Sequence, residues 1–168
     1  MILCNIETCV GVFTAQFSES GLVRLQFPSE PRPAASSPGA PLPPSIRVWA
    51  RRTAEALRAI LRGRAPGALP PLDWSTATPF QQAVWAQLQR IPPGHVRTYV
   101  QVAQAIGRPY AARAIGGACG ANPIPVLVPC HRVVAAHGGL GGFSGGLSWK
   151  ARLLALEGRR ERSPASSP

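Results

Sequence analysis

The chain has 168 residues, enough for one ordinary core or two small lobes, and its 45% hydrophobic content is that of a globular protein. No apolar run approaches the ~20 residues that span a bilayer, and the N-terminus MILCNIETC lacks the basic stretch and apolar core of a signal peptide. The formal net charge is +11, carried almost wholly by arginine because Lys150 is the one lysine.

A basic field of this size raises the local concentration of a polyanion. A solvated surface of arginine-rich composition carries the same charge, so charge alone does not choose nucleic acid. The expected compartment is the cytoplasm, and the Arg-rich, Lys-poor composition points to a bacterium with a GC-rich genome. Cys4, Cys9, Cys119 and Cys130 are then expected to be reduced.

In chain order, residues 11–27 (GVFTAQFSESGLVRLQF) predict a β-hairpin. Phe13, Ala15 and Phe17 alternate with polar or smaller residues, SESG is the turn, and Val23, Leu25 and Phe27 alternate on the return. Pro28 to Pro44 is Pro/Ser/Ala-rich and predicts a loop or linker. Ser45 to Arg62 predicts a helix, with Val48, Leu57, Ile60 and Leu61 inward and several arginines outside. Gly63 to Pro71 predicts another loop.

Thr78-Pro79-Phe80-Gln81 starts a second helix, with a capping Thr, Pro at the first helical position and Gln at the third. Ile91-Pro92-Pro93-Gly94 ends it. Two short helices follow, Tyr99 to Ile106 and about Ala111 to Gly120, separated by Gly107-Arg108-Pro109-Tyr110. The pair fits a helix-turn-helix. In the second helix Arg113 is the one long side chain among Ala111, Ala112, Ala114, Gly116, Gly117 and Ala118, so its backbone can approach another surface closely. Tight packing inside the protein explains the same small residues. A last helix spans about Ser148 to Glu157 and stops at Gly158.

The chemistry concentrates in Pro129-Cys130-His131-Arg132-Val133-Val134. A nucleophile with its activator, a pair of metal ligands, and a buried thiol beside an unrelated histidine are the three readings. A zinc site would need Cys119, Cys130 and two of His95, His131 and His137, with no knuckle spacing to support it. A catalytic cysteine needs a base or a positive environment, because the thiolate is the nucleophile. Adjacent side chains on an extended backbone point to opposite faces, so His131 would reach Cys130 through a water. The base needs an orienting partner in turn. Glu157 is the candidate, because a carboxylate in the last helical turn opposes the helix dipole and calls for a compensating partner. A solvated Glu157 paired with Arg159 or Arg160 is the competing reading.

The segment HGGLGGFSGG (137–146) is not a phosphate loop, since Leu147 stands where a Walker motif needs lysine. It predicts a close-approach loop with Phe143 as an aromatic platform and Ser144 as a donor at its tip.

The ordered set NP-I-P-VLVPCHRVV, GGFSGG and WK-x-LL-x-LEG, over about Thr78 to Gly158, resembles the O6-alkylguanine-DNA alkyltransferases. The resemblance implies an α/β (α+β) fold, with a small RNase H-like β-rich N-terminal lobe and a helical C-terminal lobe carrying a helix-turn-helix. The implied lobes are 1–74 and 75–158, followed by a disordered basic tail at 159–168. It implies DNA repair by irreversible, single-turnover transfer of an alkyl group from O6-alkylguanine in a flipped-out base to Cys130, with O4-alkylthymine as a second candidate substrate. His131, through water, and Glu157 activate Cys130. Tyr99, Val133 (through its carbonyl), Phe143 and Ser144 hold the base. Arg113 fills the vacated stack, Tyr99 crowds the phosphate, Ala112 lies on the DNA-facing helix, and Asn122 ties that helix to the active-site turn. The implied partner is double-stranded DNA, bound through its minor groove by a monomer, with no membrane partner, no cofactor and a nucleoid-associated location.

Three departures from the family pattern matter. Phe143 replaces a frequent tyrosine, which keeps the ring and loses a hydroxyl. Gly120 stands where some relatives have a basic residue. Some relatives hold zinc with two cysteines and two histidines in the N-terminal lobe, and this lobe has Cys4 and Cys9 but no histidine, so no metal is expected. A damage-sensing, non-catalytic alkyltransferase-like protein is the alternative function, and the presence of Cys130 argues against it. A cysteine hydrolase and a plain helix-turn-helix regulator leave PCHRVV unexplained.

Overall fold

Alternation builds the sheet. In a computed structural model, which describes residues 1–28 and 41–158, strands β1 (Ile2–Thr8), β2 (Gly11–Phe17) and β3 (Leu22–Gln26) pair antiparallel in that order. Phe13, Ala15 and Phe17 of β2 are fully buried. The expected hairpin is present, and Ser18 to Gly21 closes it with a backbone bond of 2.9 Å. A register shift at Gln16/Phe17 turns Leu22 and Leu25 inward and leaves Val23 only half-buried, contrary to the simple alternation. The sequence pattern did not reveal β1, although Cys4 and Ile6 bury on alternate positions.

Helix α1 (Pro44–Ile60) lies against β1 and β2. It buries Ile46, Thr53, Ala56, Leu57 and Ile60. Val48, expected inward, is exposed, and Ile46 takes the core position two residues earlier. The helix also starts one residue earlier than expected, because Pro44 sits in its first turn, where a missing N–H costs nothing. The rest of the Pro-rich stretch from 29 to 40, and the tail from 159 to 168, lie outside the described residues.

Helix α2 (Pro79–Leu88) has the expected capping box, with Thr78 accepting from the Gln81 backbone and the Gln81 side chain accepting from Thr78 N–H. Strand β4 (Arg97–Thr98) leads directly into α3 (Tyr99–Ala105), where Thr98 and Gln101 form a second capping box. Helix α4 (Ala112–Gly120) follows the Gly107–Tyr110 turn and packs on α3 and α2. Strand β5 (Val133–Val134) pairs parallel with β4, Arg97 opposite Val133 and Thr98 opposite Val134. Helix α5 (Leu147–Leu156) ends at Glu157, with Gly158 in the left-handed region.

The N- and C-terminal halves share one cluster of buried residues, reaching from Phe13 in β2 to Leu153 in α5. Leu25 N–H donates to Pro123 O at 2.9 Å. Phe27 stacks at 4.9 Å from Trp149 and meets Phe143 edge-on at 5.8 Å. These contacts fix the glycine-rich loop against the sheet. Among the described residues no helix is long and apolar enough to cross a membrane.

Candidate active site

The turn from Asn122 to Arg132 carries the site. Val126 is fully buried at φ +75, a region that a β-branched residue enters only under strain. Asn122 clasps this turn from both sides. Its Oδ1 accepts from Ile124 N–H at 3.0 Å, and its Nδ2 donates to Val128 O at 2.9 Å. The same Nδ2 lies 3.1 Å from Cys130 Sγ. Asn122 is 4% exposed. It therefore braces the turn after α4 from beneath and does not present its amide to an outside ligand.

Cys130–Arg132 form a 3₁₀ turn, not the extended backbone expected. Successive side chains on such a turn fan out by about a third of a revolution. The Cys130 thiol thus faces Asn122, while the His131 ring swings toward Glu157. His131 Nε2 lies 2.9 Å from Glu157 Oε1. The carboxylate accepts a hydrogen bond from Nε2–H, which leaves Nδ1 as the basic nitrogen. Nδ1 is buried with no hydrogen-bond partner.

Arg132 does more than supply a nearby charge. Its Nε donates to Glu157 Oε2 at 3.0 Å, its second guanidinium nitrogen donates to Oε1 at 2.8 Å, and a third N–H donates to Ile91 O. Glu157 is thus held between Arg132 and His131, and the predicted partnership with His131 is present in the geometry. Burial alone would raise the Glu157 carboxyl, but the hydrogen bonds and charges of His131 and Arg132 overcome it and hold it near 2.

Burial pushes the Cys130 thiol up to about 11, opposed by the Asn122 hydrogen bond and the Lys150 charge. Burial also lowers His131, against the pull of Glu157. At rest the pair is a neutral thiol and a neutral imidazole. That is a thiol and an imidazole, each uncharged, and not a preformed ion pair.

Tyr99, first residue of α3, is brought beside the site by the β4–β5 pairing. Burial raises its phenol, so the hydroxyl stays protonated at neutral pH and remains a donor. Tyr99, Ala112, Arg113, Gly116, Gly141 and Gly142 line one open depression of about 410 Å³. Arg113 is exposed at its edge. Beyond it, Gly117 and Gly120 on the outer face of α4 have no heavy atom within 4 Å of a would-be Cβ. The helix thus shows a nearly bare backbone with one long cation.

Phe143 is half-buried between Phe27 and His131, whose ring it meets edge-on at 6.4 Å. It is a wall of the site, not a free platform at a loop tip. Ser144 is exposed beside it, as expected of a donor. The Val133 carbonyl, expected to face a ligand, already accepts from Lys150 Nζ at 2.6 Å. A carbonyl has a second lone pair, so a further donor must share this oxygen.

Lys150 was missed as a site residue. It is fully buried, and its Nζ also donates to Gly142 O at 3.1 Å, which ties the glycine loop to β5. A single lysine in an arginine-rich chain was the available signal, since an ammonium can shed or share its charge when buried where a guanidinium cannot. Cys119, on the inner face of α4, is a second buried thiol, pushed up to about 12 by burial and by Cys130.

Gly141 permits the approach of Tyr99. It sits at φ +68, and a Cβ there would meet the Tyr99 hydroxyl. Gly141→Ala is expected to displace the Tyr99 ring and weaken whatever the depression binds by tenfold or more, read as a Kd; unchanged binding would remove Tyr99 from the site. Among the described residues no three of His, Cys, Asp and Glu gather to hold a metal ion.

Fold and site together define a protein that presents one buried, activatable thiol beneath a helix-turn-helix with a small-residue outer face. The 6-O-methylguanine DNA methyltransferase DNA-binding domain model matches residues 79–159. A methylated-DNA–protein-cysteine methyltransferase of Mycolicibacterium paratuberculosis is 56% identical over 87 residues, 52% of each chain. The Escherichia coli bifunctional transcriptional activator/DNA repair enzyme Ada is 40% identical over 124 residues, 74% of this chain and 34% of that one. The sequence match thus spans about half the length of the first of these relatives. The fold of Mycobacterium tuberculosis OGT, crystallised in complex with DNA, superposes with a TM-score of 0.75 at 37% identity, covering 96% of this chain and 94% of that one. The chain belongs to the 6-O-methylguanine DNA methyltransferase family.

Proposed function

We propose that the protein repairs DNA by moving the alkyl group of O6-alkylguanine onto Cys130, once per molecule. The observation that carries this reading is the relay Arg132–Glu157–His131 ending at a buried thiol, behind a depression edged by Tyr99 and Arg113. Duplex DNA is the partner. A base inside the duplex is out of reach, so it must rotate out, and Arg113 is placed to fill the gap. The small residues of α4, with Ala112 at its start, suit close approach to a minor groove. The working division is a β-rich lobe at 1–74 and a DNA-binding, reacting lobe at 75–158, acting as a cytoplasmic, nucleoid-associated monomer.

The chemistry is an in-line displacement. Cys130 Sγ bonds to the alkyl carbon as the carbon–O6 bond breaks, and the electron pair leaves with the guanine. The thiol proton passes through a bridging water to His131 Nδ1, and Glu157 steadies the imidazolium that forms. Guanine takes up a proton, with the Tyr99 and Ser144 hydroxyls stabilising the charge as it develops. The balance is thiol plus alkylguanine to thioether plus guanine. The thioether has no easy leaving group, and among the described residues no second nucleophile is poised to release it, so the protein ends its life alkylated.

Intact mass after incubation with a duplex bearing one O6-methylguanine tests this. The expected result is a gain of one methyl group per molecule, absent in Cys130→Ala. Binding of the lesion without a mass gain would assign the chain to damage sensing, and many methyl groups removed per molecule would refute the single-turnover step.

A further inference from the structure

Helix α1 and the turn that closes it carry a second basic feature that the alkyl-transfer site does not use. Arg47, Arg51, Arg58 and Arg62 are all exposed. At 3.6 residues per turn Arg47, Arg51 and Arg58 fall within about 40° of one another, and Arg62 follows in the closing turn, in a stripe about 22 Å long opposite the buried face. Glu55 is the one acid on this stripe, 3.9 Å from Arg51 in an exposed pair that screening leaves weak. The guanidinium of Arg58 also reaches Glu7 O at 3.3 Å.

Local energetics explain only part of this arrangement, since Arg58 stands in the last turn, where the helix dipole favours a cation. Arg47 stands in the first turn, the positive end of the helix dipole, and no acid accompanies it there. Arg47 and Arg51, and Arg58 and Arg62, are like-charge neighbours four residues apart, a spacing that destabilises an isolated helix. A polyanion laid along the stripe would relieve both. The outer face of α4, by contrast, offers Arg113 as its one charged side chain.

We infer that the Arg47–Arg51–Arg58–Arg62 stripe is a second, lesion-independent contact for the phosphate backbone of duplex DNA. Its length matches about six base pairs at 3.4 Å each. It captures duplex nonspecifically, and the α4 groove inspects the bases. The choice of DNA as the occupant rests on the repair reading above.

The test replaces the four arginines with glutamine, which keeps helix propensity and relieves the self-repulsion. Affinity for an unmodified duplex is followed by fluorescence anisotropy between roughly 50 and 200 mM salt. Each phosphate that is no longer neutralised lowers the salt slope by about 0.9. The expected result is therefore a slope lower by about 3.6, against about 0.9 for Arg113→Ala. Transfer from the free O6-benzylguanine base stays at the wild-type rate. A slope unchanged in the quadruple variant overturns the proposal and makes the stripe a solvated face. Absence of alkyl transfer in the wild-type protein with the slope difference intact would instead sink the repair reading and leave the stripe standing.

Discussion

Glu157→Gln is expected to cost the fold roughly 3–4 kcal/mol at neutral pH and to slow alkyl transfer by about 10²–10⁴-fold. The stability figure follows from a carboxyl held at about 2 in place of its ordinary 4.5, at ~1.4 kcal/mol for each unit. The folded value is depressed, so this stabilisation is fully present above about pH 4.5 and is lost as pH falls toward 2. Denaturant titrations of the two proteins should therefore differ most at pH 7 and converge only as pH falls to about 2. The variant also leaves Arg132 buried without its countercharge, a situation typically costing ~3–5 kcal/mol. The kinetic loss has a separate cause. A glutamine amide can donate to His131 Nε2, which moves the imidazole proton to Nδ1 and removes the base that faces the thiol. If Glu157→Gln transfers at the wild-type rate, His131 is not oriented by Glu157 and the relay is wrong.

How much of this was legible in the sequence depends on the range of the interaction concerned. The hairpin at 11–27 and the start of α2 are set by local chemistry, an alternating pattern and a capping box, and both stand in the structure. Glu157 was legible for a subtler reason. It sits where the helix dipole disfavours a carboxylate, which made a compensating partner one of two readings beside a solvated side chain, and both His131 and Arg132 hold it. The role of Arg132 was not legible, because nothing local says that its fork turns back across 25 positions to hold both carboxylate oxygens. Lys150 is the same kind of miss. Its bonds to Val133 O and Gly142 O exist only once α5 has docked. Val23 and Val48 failed for a third reason. A single register shift and a helix phase offset moved the inward positions by one or two residues, which alternation and spacing cannot resolve. Tyr99 and Cys130, 31 positions apart, meet because two residues of β4 pair with two of β5, a strand too short to carry any pattern of its own.

Asn122→Ala is expected to destabilise the protein by about 1–3 kcal/mol and to push the Cys130 thiol further from reactivity. The cost comes mainly from Ile124 N–H, which is buried and loses its acceptor at about 1–3 kcal/mol, while Val128 O keeps Cys130 N–H at 2.8 Å. The turn between them already contains a valine at φ +75, so the clasp also holds a backbone conformation that would relax if released. The thiol effect has its own sign. Burial raises Cys130, and the Asn122 hydrogen bond is the first of the opposing influences. Removing it lowers the thiolate fraction at any pH, and the midpoint of iodoacetamide modification should move upward. Asn122→Asp separates the two roles. An ionised aspartate still accepts from Ile124 N–H but donates to neither Val128 O nor the sulfur, and its negative charge beside the thiol raises it again. Stability should therefore be lost in part with Asp and more fully with Ala, while both variants alkylate more slowly. A midpoint that stays at the wild-type value in both would mean that the amide does not touch the sulfur in solution, and the thiol would then have to be activated by His131 and Lys150 without help from the turn that carries it.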